Sequence, residues 1–138
     1  MIVDHWQLPG VIYTQYLGVV TGEELIESSL KKSGDERFDH IRYIFGDWSQ
    51  VKHSEISAGE VQELIACLSA ISRICPQAVS ASIVRHNEQG TALTAWYRHL
   101  GEILPWKIDI YHDVGKAFAA YNLNFRRLGI GDPPVCED

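Results

Sequence analysis

Segments with the composition of β-strands are followed, along most of this chain, by the signals that start α-helices. Residues 11–17 and 41–45 are rich in β-branched and aromatic side chains, and a capping box comes after each of them. Strands that alternate with helices are joined by right-handed crossovers, which build a largely parallel sheet. The pattern therefore predicts an α/β domain. The two capping boxes are Thr21 with Glu24 and Ser57 with Glu60.

The remaining segments extend this alternation. Residues 2–7, followed by the turn at Pro9 and Gly10, predict a strand antiparallel to residues 11–17 at one edge of the sheet. Residues 78–84 and 106–111 predict two more strands, the second at the far edge. The prediction is a single α/β domain with a mixed, largely parallel sheet of about five strands, an antiparallel N-terminal hairpin strand and four flanking helices.

Helix and strand limits are also predicted. The central strand is predicted to end at Phe45, where Gly46, Asp47 and Ser49 indicate a polar turn. Residues 87–90 are predicted to form a loop before the third helix. The last helix follows the cap Asp113 and runs to Leu128. The domain then covers residues 1–128, with residues 129–138 as a flexible tail. The apolar face predicted for the first helix is Leu25, Ile26, Ser29 and Leu30.

Composition excludes several classes of function. The 138 residues are 46% apolar and 22% charged, which is typical of one folded domain. The net charge of −6, without a cluster of basic residues, argues against nucleic-acid binding. No apolar run approaches the ~20 residues of a membrane span, and we expect a cytoplasmic protein with no transmembrane segment. Its three cysteines, expected to be reduced, are Cys67, Cys75 and Cys136.

No catalytic, metal or cofactor site is predicted. The chain has neither a glycine-rich phosphate loop nor a GxSxG motif, and no two histidines have the spacing of a ligand pair within one element. The sheet topology can bring three histidines together near the strand ends, namely His53, His86 and His112. We therefore expect a non-enzymatic protein without cofactors.

Three short stretches of the sequence match motifs of a known family. They are Gly10–Val–Ile–Tyr–Thr–Gln–Tyr–Leu–Gly18 with residues 21–25, Phe45–Gly–Asp–Trp–Ser49, and Ile110–Tyr–His–Asp113 leading to Ala117. With these motifs the chain resembles, over roughly residues 4–125, the SpoIIAA-like branch of the STAS superfamily, relatives of the bacterial anti-sigma-factor antagonists. The resemblance implies a small α/β fold and a regulatory module that contacts a protein partner. Some relatives are similar to the lipid-binding Sec14 fold, which implies an apolar ligand between helices as the alternative.

The resemblance places partner contact at the loop and helix start after the central strand. Ser57 lies where the antagonists have a phosphorylatable serine, although Ile56 and Ala58 replace the family's neighbouring Ser and Gly. Each residue also has a plain structural role, such as an N-cap for Ser57, a turn cap for Asp47 and packing under a helix for Trp48. The candidates for partner binding or a phospho-switch are Asp47, Trp48, Ser49, Ser57 and Glu60.

The last third of the chain is rich in aromatic residues. Most of them are expected in the core. If the helices at residues 92–100 and 114–128 separate, however, the space between them would admit a lipid-like tail. This alternative describes a carrier or sensor of a small apolar ligand that can associate with a membrane surface. An exposed apolar face would also support a homodimer. The ligand-binding candidates are Leu93, Trp96, Leu100, Phe118 and Tyr121.

Overall fold

Five β-strands form one sheet in which their spatial order is their order along the chain. The computed structural model describes residues 1–135. The strands are β1 (Ile2–Gln7), β2 (Val11–Thr21), β3 (Tyr43–Glu55), β4 (Val79–Ile83) and β5 (Lys107–Tyr111). β1 is antiparallel to β2, and β2 to β5 are parallel neighbours. The predicted mixed sheet, with β1 and β5 at its edges, is therefore confirmed.

Three helices cover one face of the sheet and a fourth covers the other. They are α1 (Gly22–Ser33), α2 (Ala58–Ser72), α3 (Glu88–Ile103) and α4 (Val114–Ala119), with 3₁₀ helices at Glu36–His40 and Phe125–Leu128. Because the sheet grows in one direction from β2 to β5, right-handed crossovers place α1, α2 and α3 on the same side. Their apolar side chains share one buried cluster, whereas α4 and the second 3₁₀ helix belong to another.

Both predicted capping boxes are present. The Thr21 and Ser57 side chains accept hydrogen bonds from the backbone of Glu24 and Glu60, whose carboxylates bond back to the cap residues. The third helix starts earlier than predicted, because Asn87 is its N-cap and accepts from the Gly90 N–H. The predicted loop at residues 88–90 is therefore wrong.

β3 is longer than predicted. The expected turn after Phe45 is wrong, because β3 continues to Glu55 alongside β2, which itself extends to Thr21. The pairing has two register shifts, the second of them at Gly18, whose φ of 63° suits a glycine. An extended β2 supplies backbone partners along the whole of β3, and this long-range pairing overrides the local turn signal.

The last helix is shorter than predicted. α4 ends at Ala119, Asn122 takes a φ of 59°, and the chain continues as the 3₁₀ helix that Gly129 caps with a φ of 75°. A left-handed residue cannot continue a right-handed helix, so the predicted helix to Leu128 is wrong. Its apolar residues still pack together in the second cluster, including Val114, Ala117, Phe118 and Phe125.

Candidate functional site

Three of the candidate partner-binding residues lie inside the protein. Asp47, Trp48 and Ser49 are only 2%, 5% and 5% exposed, within β3 rather than in a surface turn. Asp47 accepts hydrogen bonds from the Tyr13 hydroxyl and from the Ser49 N–H. These side chains are therefore placed to support the sheet and do not lie on a surface that a partner can contact.

The other two candidates, Ser57 and Glu60, lie at the start of α2. The Ser57 hydroxyl is 3.1 Å from the Glu60 nitrogen, and the Glu60 carboxylate is 2.9 Å from the Ser57 nitrogen. Ser57 is exposed at the N-terminus of a 15-residue helix. The cap leaves this hydroxyl within reach of solvent.

The end of β3 beside this helix start has a free strand edge. β4 stops at Ile83, opposite Asp47, whereas β3 continues to Glu55 with β2 as its partner. Within residues 1–135, no strand pairs with the other side of this extension. Lys52, His53 and Glu55 are exposed along it. Such an edge can pair with the backbone of another chain.

A cavity of about 310 Å³ lies between the sheet and the three helices α1, α2 and α3. Trp48, Trp96 and Trp106 contribute aromatic walls, and Leu64 and Leu68 contribute part of the α2 side. The exposed members of its lining, Ile56 and Ala92, place its mouth between the starts of α2 and α3. The arrangement offers an apolar space of the size of a small-molecule site.

The sheet divides the predicted apolar ligand set. Leu93, Trp96 and Leu100 line the cavity, but Phe118 and Tyr121 pack in the cluster on the opposite face. Phe118 stacks on Phe45 with ring centroids 4.0 Å apart, and the Tyr121 hydroxyl donates to the Asp109 carboxylate. The predicted site between the last two helices is therefore not formed, because those helices lie on different sides of the sheet.

Aromatic hydroxyl groups form a polar floor beside the apolar walls. Trp48 stacks on Tyr16 with ring centroids 3.9 Å apart, and its Nε1–H donates to the Tyr97 hydroxyl at 2.8 Å. Burial raises the pKa of both tyrosines, so both stay neutral across the physiological range. Ser80 and Ser82 also line this floor.

Among the described residues that line the cavity, Lys32 is the only charged one. Its side chain is 12% exposed, and its Nζ lies 3.3 Å from Asp4 Oδ1 and 2.6 Å from Ser28 Oγ. Burial lowers the pKa of Lys32, and the nearby Asp4 carboxylate partly opposes this effect. Thr14 also donates to Asp4, at 2.7 Å.

Lys32 is a cavity residue that the sequence did not predict. Leu30, predicted on the buried face of α1, is 56% exposed. Leu25, Ser29 and Lys32 instead line the cavity, and their spacing of four and three residues is that of one helix face. The signal was present in the spacing, but a lysine is an unusual member of a buried stripe.

Histidines and cysteines do not assemble a metal site in the part of the chain that the structure describes. His86 and His112 stack with ring centroids 3.6 Å apart, and His112 Nδ1 lies 2.9 Å from the Val84 carbonyl oxygen. His53 lies beside Glu55 instead. Cys67 and Cys75 are free thiols, and Cys136 lies outside the described residues. No helix within residues 1–135 has the length and apolar character needed to cross a bilayer.

Comparisons with known proteins identify the fold. No protein-family model and no curated protein matches the sequence. A structure of the Bacillus cell fate determinant SpoIIAA in its phosphorylated form is similar, with a TM-score of 0.56 and 9% identity over 88% of this chain and 100% of that chain. A structure of the anti-sigma factor antagonist SpoIIAA in its unphosphorylated form matches with a TM-score of 0.49 and 8% identity, over 79% of this chain and 88% of that one. The predicted SpoIIAA-like fold is confirmed.

Proposed function

We propose that this chain is a non-enzymatic binding module that holds a small apolar ligand in the cavity between the sheet and helices α1 to α3. The observation that carries the proposal is the cavity itself, with its volume of about 310 Å³ and its tryptophan and leucine walls. Protein interiors are usually close-packed, and open space in them reduces stability. A space of this size fits a ligand better than it fits a structural role.

The cavity also supports binding rather than catalysis. Its floor consists of neutral hydroxyl groups, and its one charged residue within the described part of the chain, Lys32, forms an ion pair with Asp4 and a hydrogen bond with Ser28. The walls can therefore enclose and orient an apolar molecule, and the hydroxyl groups can bond to a single polar atom on it. The proposed role is that of a carrier or sensor.

Decanol provides a direct test, because it is apolar, uncharged and small. We expect it to raise the unfolding temperature and to change the fluorescence of the three cavity tryptophans. Ala92→Phe narrows the mouth and Ser80→Leu fills the floor, so each variant should weaken binding at least tenfold. Ala95→Phe is the matched control, since Ala95 is exposed on α3 and is not part of the lining. Binding of decanol that is unchanged in both cavity variants would contradict the proposal.

A second candidate function is regulation through a protein partner at the end of β3 and the start of α2. The free edge of β3 favours this, because an exposed strand edge offers backbone groups to another chain. The likeness of the fold to SpoIIAA, one form of which is phosphorylated, adds support. A phosphate on Ser57 would lie at the positive end of α2 but close to the Glu60 carboxylate.

Site-specific crosslinking tests this second candidate in the full chain. A photo-crosslinker at His53 should capture a partner in an extract of the source organism, whereas one at the exposed Glu102 of α3 should not. Ser57→Asp should reduce the capture, because aspartate keeps the N-cap and adds negative charge. Equal capture from His53 and Glu102 would rule out this surface.

A further inference from the structure

Lys32 places an ammonium group at the wall of a mainly apolar cavity, and this group limits the class of ligand that the cavity can bind. We infer that the cavity takes an elongated amphiphile with a carboxylate head group, which Lys32 binds, and an aliphatic tail that lies along α3. This inference rests on the proposed function and specifies its ligand. It follows from the donors that Lys32 has left, from the shape of the cavity and from the position of Asp4.

The lysine has an unused hydrogen-bond donor at the cavity wall. An ammonium group carries three N–H donors, and the structure gives Lys32 two partners, Ser28 and Asp4. Its side chain is 12% exposed and lines the cavity, so the third donor is placed to serve a ligand bound there. A carboxylate is the acceptor that forms the strongest hydrogen bond with an ammonium group.

The cavity is elongated along α3. Its lining includes Gln89, Leu93, Trp96 and Leu100, which follow one face of the helix. The first and last of these span about 16 Å at 1.5 Å per residue. Lys32 lies near the end of α1, whereas the mouth marked by Ile56 and Ala92 lies at the starts of α2 and α3. A chain-like molecule with its head at Lys32 and its tail towards the mouth fits this geometry.

Asp4 limits how strongly an anion can bind. Its carboxylate neutralises Lys32, and a ligand carboxylate would lie close to this second negative charge. Thr14 also donates to Asp4, so the aspartate keeps a second partner when a ligand shares Lys32 with it. Removing the charge of Asp4 should therefore strengthen the binding of an anion, and removing the charge of Lys32 should weaken it.

Paired measurements with decanoate and decanol test the inference on the full chain. Calorimetry at pH 7.5 should show that decanoate binds at least about tenfold more tightly than decanol, the gain expected of a charge-assisted bond. Lys32→Met should remove this advantage, and Asp4→Asn should increase it several-fold. Both effects are read from the ratio of decanoate affinity to decanol affinity, because this ratio cancels any change that a substitution makes to the cavity wall itself. Lys31→Met is the control, because it removes the same charge from an exposed neighbour.

The outcomes separate this inference from the function on which it depends. Equal affinity for decanoate and decanol, unchanged by Lys32→Met and Asp4→Asn, would overturn the carboxylate inference and leave the cavity as an apolar site. Failure of both compounds to bind the wild-type protein would overturn the proposed function as well. Opposite effects of the two substitutions on the ratio of decanoate affinity to decanol affinity would support the inference, because a general loss of stability weakens the binding of both compounds.

Discussion

Asp47 shows why the local sequence predicted the end of the central strand incorrectly. An acidic residue after Tyr43–Ile44–Phe45 indicates the end of a strand, because a buried carboxylate needs partners. One partner, Tyr13, lies 34 residues earlier in the chain and comes into contact only when β2 pairs with β3. The other is the Ser49 N–H, which is the kind of backbone bond that the sequence predicted for a turn.

Replacing Asp47 tests this structural role. Asp47→Ala removes the acceptor of two buried donors, so we expect the free energy of unfolding to decrease by about 2–4 kcal/mol in urea titrations. Asp39→Ala is the control, because Asp39 is exposed, and its effect should stay below about 0.5 kcal/mol. A loss as small as that of the control would mean that the Tyr13 and Ser49 bonds contribute little.

Asp35 and Arg37 allow a residue-scale prediction about pH. Hydrogen bonds from the Arg37 side chain and then from its backbone lower the pKa of Asp35 to about 2. The charged carboxylate is favoured in the folded state, so its contribution to stability is present above the unfolded pKa of about 3.9 and disappears as the pH decreases towards 2. NMR titration should show this pKa rising towards its ordinary value in Arg37→Gln. Lys31→Gln should raise it much less, and an unchanged pKa in Arg37→Gln would contradict the assignment.

At the scale of elements, the two capping boxes could be predicted because each of them depends only on neighbouring residues. Each capping box joins residues three apart, so the sequence contains all of its participants, and both boxes form. The length of β3 depends on pairing with β2, and the end of α4 depends on the left-handed Asn122. Neither of these is visible in a spacing pattern, and both predicted limits are wrong for that reason.

The starts of α1 and α2 pack closely, and two glycines test this contact. A Cβ atom on Gly22 would lie 2.6 Å from Cδ and 2.9 Å from Cβ of Glu60, whereas one on Gly59 would have nothing within 4 Å. Gly22→Ala should therefore destabilise the protein by about 1–3 kcal/mol, because Glu60 and its cap must move. Gly59→Ala should stabilise α2 by about 0.5–1 kcal/mol. Urea unfolding of both variants measures the difference, and a stabilising Gly22→Ala would show that the two helix starts are not in close contact.

At the scale of the whole molecule, the sheet separates two buried clusters, one on each of its faces. The periodicity of the sequence identifies apolar residues on the last two helices, but it does not say which face of the sheet each helix covers. The crossover rule supplies that information for α1 to α3, since each connects parallel neighbours. α4 follows the last strand, so no crossover constrains it, and it covers the opposite face. Because α3 and α4 cover opposite faces, the predicted ligand-binding residues are divided between them. Leu93, Trp96 and Leu100 line the cavity, whereas Phe118 and Tyr121 lie on the other side of the sheet.

Truncation at two points separates the α4 layer from the segment that follows it. Ending the chain after His112 removes α4 and uncovers Tyr13, Phe45 and Ile83, which are fully buried. Burial of each such side chain contributes about 2 kcal/mol to the free energy of unfolding, and the apolar side chains removed with α4 contribute more. The total loss should therefore exceed the usual stability of a domain. We therefore expect no cooperative unfolding transition in thermal scans of this variant.

Ending the chain after Gly129 is the matched truncation. It keeps the 3₁₀ helix and its cap, and it removes the exposed ion pair between Arg126 and Asp132. Because exposed ion pairs contribute less than about 1 kcal/mol, cooperative unfolding and decanol binding should both persist. A large loss of stability here would mean that the segment after residue 129 belongs to the domain. A cooperative transition in the shorter variant would mean that the sheet and helices α1 to α3 fold without the second cluster, and the cavity would then belong to a self-sufficient half of the molecule.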